Sequence, residues 1–85
     1  MTAANLLPSG WLIEPNGQEM ILFIKDPMSY KKLTKFYIDK WSAINGKRTK
    51  FENRKIVLYE EATTIWNQLV KGGWSKTQIS NARVA

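Results

Sequence analysis

Phe36-Tyr37-Ile38-Asp39-Lys40-Trp41-Ser42-Ala43-Ile44-Asn45-Gly46-Lys47-Arg48-Thr49-Lys50-Phe51 is the stretch on which the reading of this chain turns. It opens with apolar and polar residues in alternation from Phe36 to Asp39, the period of a strand with one buried face. The strand can extend through Trp41 to Ile44. Its alternation slips between Ile38 and Trp41, which predicts a β-bulge there. Asn45-Gly46 is a strong hairpin signal, because a type I′ turn needs positive φ at both central residues. Lys47 to Phe51 is then the returning strand. Strict alternation puts Thr49 and Phe51 on one face and Arg48 and Lys50 on the other. A further short strand is expected over Lys55 to Leu58.

Working outward toward the N-terminus, Trp11-Leu12-Ile13 and Met20 to Lys25 read as two more strands. Asn16-Gly17 between them is a second hairpin signal of the same kind. Pro15 beside it is tolerated if its missing N–H points away from the partner strand. Met20 to Ile24 is apolar on both faces, as in a central strand. Asp26-Pro27 ends that strand, and Ser29 is placed to cap a short helical turn through Leu33. Toward the C-terminus, Ala62, Ile65, Trp66, Leu69 and Val70 recur at helical spacing, the apolar stripe of an amphipathic helix. Glu60 and Glu61 in its first turn and Lys71 in its last suit the helix dipole. No side chain suited to N-capping precedes Glu60. Gly72-Gly73 supplies a left-handed C-terminal cap, with Trp74 placed to fold back on the last turn.

These elements predict an α+β domain: a small, mostly antiparallel sheet of three to five strands, built from two Asn-Gly hairpins, with one C-terminal amphipathic helix packed on it. Residues 1–9 read as a flexible lead, 10–74 as the single domain and 75–85 as a tail.

The 85 residues contain neither cysteine nor histidine. That removes disulfides, Cys-ligated metals, the commonest metal ligand and the usual general base near neutral pH. A Ser-His-Asp or Cys-His site cannot be assembled from this chain alone. Glu60 and Glu61 are adjacent on a helix and point about 100° apart, so they do not converge on one substrate. Asp26 and Asp39 are isolated in sequence, with no metal-ligand spacing. No enzyme, metal or cofactor is expected. There is no signal-peptide pattern and no long apolar run, so the expected location is the cytoplasm, away from membranes.

The formal charge is +6, and it is concentrated: Lys25 to Lys55 holds ten basic residues against three carboxylates. Lys40, Lys47, Arg48, Lys50, Arg54 and Lys55, with Trp41 as a possible anchor, form the candidate binding surface. Its first reading is a docking site for an acidic protein partner. The alternative is single-stranded nucleic acid, with lysines tracking the backbone and aromatic rings stacking on bases. A third reading is a structural homo-oligomer. Set against all three, Phe36, Ile38, Trp41 and Phe51 could simply be the core face of the second hairpin, and the charge a solubilising surface. The set also holds only two arginines, the side chain suited to bidentate readout of phosphates and bases.

Taken together, Gly10-Trp11-Leu12-Ile13, Pro15-Asn16-Gly17, Ile21-Leu22-Phe23, Asp26-Pro27-Met28-Ser29-Tyr30, Phe36-Tyr37-Ile38-Asp39, Glu61-Ala62, Trp66-Asn67-Gln68-Leu69 and Gly73-Trp74 resemble a small cyanobacterial and cyanophage family of proteins of unknown function. Tyr30 stands where that family usually has Trp. The resemblance implies a cyanobacterial or cyanophage source and a cytoplasmic location. It imports no activity, cofactor or catalytic residue.

Overall fold

The computed structural model of the chain describes residues 8–29 and 33–77. Within them run β1 (Gly10–Ile13), β2 (Glu19–Lys25), β3 (Lys35–Ile44), β4 (Lys47–Leu58), α1 (Tyr59–Lys71) and β5 (Ser75–Thr77). The strands form one antiparallel sheet in the order β4-β3-β2-β1-β5. The first four are a meander of sequential neighbours, as two consecutive hairpins require. The fold is therefore the expected α+β sheet with one C-terminal helix.

The two Asn-Gly pairs make different turns. At Asn45-Gly46, φ is 53° and 80°, so both central residues are left-handed, as a two-residue type I′ turn demands. At Asn16-Gly17 only Gly17 has positive φ, 72°. Pro15 decides the difference. Its fixed φ suits the second place of a four-residue turn from Glu14 to Gly17, closed by the Gly17 N–H donating to the Glu14 carbonyl at 2.8 Å. The Glu14 N–H donates to the Glu19 carbonyl at 3.0 Å, so the loop runs from Pro15 to Gln18 and is longer than a two-residue type I′ turn. The two turns are also tied together. The Gly46 N–H donates to the Gly17 carbonyl at 3.1 Å, and the Ala43 N–H to the Gln18 carbonyl at 2.8 Å.

Residues paired across strands share a face of the sheet, so the register sorts the side chains. Phe23 opposite Ile38, Leu12 opposite Ile21, and Phe36 opposite Val57 lie on the face covered by α1. There Leu12, Phe23, Phe36, Ile38, Val57 and Ala62 form the buried core, with Ile65, Trp66 and Leu69 of the helix packed against it. The ring of Phe23 meets Trp66 edge-on, 5.0 Å between centroids. Burial of each such side chain contributes about 1.5–3 kcal/mol. Val70, at the margin of the stripe, remains exposed.

Trp41 and Phe51 are not part of this core. Trp41 lies opposite Met20 on the other face, an odd offset from Ile38. A register shift does fall within the expected span from Ile38 to Trp41, but the extra residue belongs to β4 and not to β3. β3 pairs with β2 without irregularity, and the register shifts lie between β3 and β4, at Lys40/Trp41 and Ser42/Ala43. Glu52 and Thr49 of β4 are the extra residues. The first shift brings Phe51 opposite Trp41, and the second brings Arg48 onto that same face, opposite Ala43. Arg48 and Phe51 therefore share a face that strict alternation divided between them. β4 is also one strand to Leu58, not two short ones.

α1 follows directly on Leu58, which occupies the N-cap position and gives no side-chain cap, as the sequence predicts, and the helix carries Glu60 and Glu61 in its first turn. At its other end the Trp74 N–H donates to the Leu69 carbonyl and the Gly73 N–H to the Val70 carbonyl, with Gly73 at φ 104°. This is a Schellman cap, and it brings Trp74 against the core. The redirected chain then forms β5 against β1, inside the stretch read as a tail. Three residues are too few for a sequence period, so only the neighbouring strand reveals it. The expected turn from Ser29 to Leu33 lies partly outside the described residues; Ser29 Oγ accepts the Lys35 N–H at 2.9 Å.

Candidate binding surface

All seven candidate residues lie on the second hairpin, Lys40 and Trp41 on β3 and Lys47, Arg48, Lys50, Arg54 and Lys55 on β4. The register divides them. Lys47 is opposite Ile44, Lys50 opposite Ser42 and Lys55 opposite Ile38, so these three share the helix-side face with Lys40. Trp41, Arg48 and Arg54 are on the opposite, helix-free face.

On the helix-free face the two candidate arginines are already engaged. The Arg48 guanidinium lies 5.0 Å from the Trp11 ring centre and 5.4 Å from that of Trp41. Trp41 in turn meets Trp11 at 6.4 Å and Phe51 at 5.5 Å, both edge-on. Trp41 Nε1 is buried with no hydrogen-bond partner among the described residues. Arg54 grips Asp39 through two hydrogen bonds, Nε to Oδ1 at 2.6 Å and a terminal guanidinium nitrogen to Oδ2 at 2.8 Å. It also lies 4.7 Å above the Tyr37 ring. The hydrogen bond to Asp39 is the main reason the Arg54 pKa is raised above its ordinary value. Asp39 is only 5% exposed, so the pair anchors a carboxylate that would otherwise be buried alone.

On the helix-side face Lys40 pairs with Glu19 at 3.6 Å. Lys47, Lys50 and Lys55 have no carboxylate partner among the described residues. The carboxylate nearest to them in sequence, Glu52, is taken by the Ser42 hydroxyl. β4 is an outermost strand of the sheet, and every residue in it except Val57 is exposed.

Asp39, Tyr37 and Trp11 stand outside the seven candidates read from the sequence, yet the register places them on this surface. Tyr37 and Asp39 carried a signal, since both alternate with core residues Phe36 and Ile38. The joining of Asp39 to Arg54 is set by the strand register, which spacing alone does not reveal. Among the described residues there is no group of three or more His, Cys, Asp or Glu side chains that could hold a metal ion. No helix is long and apolar enough to cross a membrane.

Residues 9–80 match the model of a protein family described as Protein of unknown function (DUF1651). The chain belongs to this family. The match spans the whole sheet and its helix, so the hairpin surface lies inside the family domain. No curated protein and no solved structure matches the chain.

Proposed function

We propose that this DUF1651 protein is a non-catalytic binding module that docks an acidic protein partner through β4. The cytoplasm, and the cyanobacterial setting that the resemblance implies, belong to the same reading. The observation that carries it is the side of β4 bearing Lys47, Lys50 and Lys55: three lysines on an exposed outer strand, none neutralised by a described carboxylate. Stacking on nucleic-acid bases is less well supported. Arg48 already covers Trp11 and Trp41, and Arg54 is held by Asp39.

Three exposed ion pairs contribute at most about 1 kcal/mol each, so charge alone gives a dissociation constant no tighter than about 6 mM. The test is a tryptophan-fluorescence titration with an octaglutamate peptide and with mixed-sequence single-stranded RNA, at low and physiological salt. Weak octaglutamate binding is expected, lost in the Lys47→Glu/Lys50→Glu/Lys55→Glu variant, with RNA binding seen only at low salt. Absence of octaglutamate binding at either salt refutes the reading. RNA quenching that persists at physiological salt replaces it with the nucleic-acid one.

A further inference from the structure

The outer edge of β4 has its own geometry. The Tyr59 N–H donates to the Thr34 carbonyl at 2.9 Å, which continues the β3–β4 ladder one step past Lys35 and Leu58. Backbone groups in an antiparallel ladder alternate inward and outward. From Tyr59 the alternation turns Val57, Lys55 and Asn53 toward β3, and Leu58, Ile56 and Arg54 outward. No bulge interrupts the run from Asn53 to Leu58. The Leu58 carbonyl accepts the first turn of α1. The N–H and C=O of Arg54 and Ile56 and the N–H of Leu58 are left as an open ladder, and no backbone hydrogen bond from another described residue reaches them.

The side chains along this edge are also sorted. Arg54, Ile56 and Leu58 point to the helix-free face, with Ile56 58% and Leu58 45% exposed. Lys55 points to the helix side, with Lys50 and Lys47 farther along the strand.

We propose that β4 receives an extended acidic segment of the protein partner as a sixth strand along Arg54 to Leu58. The segment alternates apolar residues, set beside Ile56 and Leu58, with carboxylates set beside Lys55. This rests on the acidic-partner reading and supplies what charge alone lacks, a row of directional backbone hydrogen bonds. Charge also selects the occupant. Between Lys47 and Leu58 the strand holds five basic residues and one carboxylate, so the edge as a whole is positively charged and favours an acidic strand over a second basic copy.

The probe is an end-blocked eight-residue peptide alternating Val and Glu, with a twin N-methylated at its four central residues. The twin keeps the charge and side chains but loses backbone donors. The peptide is expected to bind and to slow hydrogen exchange at the amides of Arg54, Ile56 and Leu58. The twin should bind at least about tenfold more weakly, the loss expected from two or more missing hydrogen bonds. Equal binding of both peptides overturns strand addition and leaves the acidic-partner reading standing. Failure of both peptides and of octaglutamate overturns both. A rise in mass with protein concentration, together with protection of the same amides without peptide, overturns the proposal in favour of self-pairing.

Discussion

Replacing Phe23 by Ala tests which face of the sheet is the core. Phe23 lies in central strand β2, is 2% exposed and meets Trp66 of α1 edge-on at 5.0 Å. Removing such a ring costs about 3–5 kcal/mol, because the surrounding side chains collapse only partly into the space. A chain of this length has a total stability of about 4–13 kcal/mol, so the variant should be severely weakened or unfolded. Phe51 is the matched control. It also meets a Trp ring edge-on, Trp41 at 5.5 Å, but on the helix-free face and 45% exposed. Half-burial of a Phe is worth about 1 kcal/mol, so Phe51→Ala should remain folded. Urea unfolding followed by circular dichroism separates the two by midpoint, and the slope shows whether the folded state has stayed compact. A Phe51→Ala variant as damaged as Phe23→Ala would refute the reasoning, because it would make the helix-free face a second core.

Gly46→Ala should lower stability by about 1 kcal/mol and Tm by about 4–8 °C, since φ is 80° and the new Cβ would stand 3.3 Å from Ile13 Cδ1. Asn45→Gly, at the neighbouring position, should change the thermal melt little. Gly73→Ala should be worse than Gly46→Ala, because its Cβ would come within 3.0 Å of Pro15 Cγ, and far-ultraviolet circular dichroism should show fraying of α1. Arg54→Gln should lower the urea midpoint by stranding buried Asp39. The Arg54 pKa is raised, so the stability it contributes is fully present below the ordinary arginine value and is lost only in strong alkali. The deficit of Arg54→Gln in urea titrations should therefore stay constant through the neutral range.

The sequence revealed those elements whose signals are local. The stripe from Ala62 to Leu69, the glycines after Lys71 and the Asn45-Gly46 turn each act through neighbours within one or two turns of chain, and each appears where its chemistry puts it. What stayed hidden depends on partners distant in sequence. Two bulges in β4 decide that Arg48 and Phe51 share a face, and nothing within β4 announces them, because every residue around Thr49 and Glu52 is exposed. The same register unites Asp39 with Arg54 and sends Trp41 away from Ile38. The candidate basic residues were thus found as a set, while their division into an engaged pair of arginines and a row of lysines needed the sheet.

β5 returns to pair with β1, bringing Thr77 directly opposite Trp11. The two ends of the sheet's chain therefore enter and leave at one corner, only about 5 Å apart. β4 is at the other side, four strand spacings or roughly 19 Å away. An attachment made at Gly10 or Thr77 is therefore a tether on the far side of the sheet from β4. A bead or chip coupled through that corner would present the lysine-bearing edge outward.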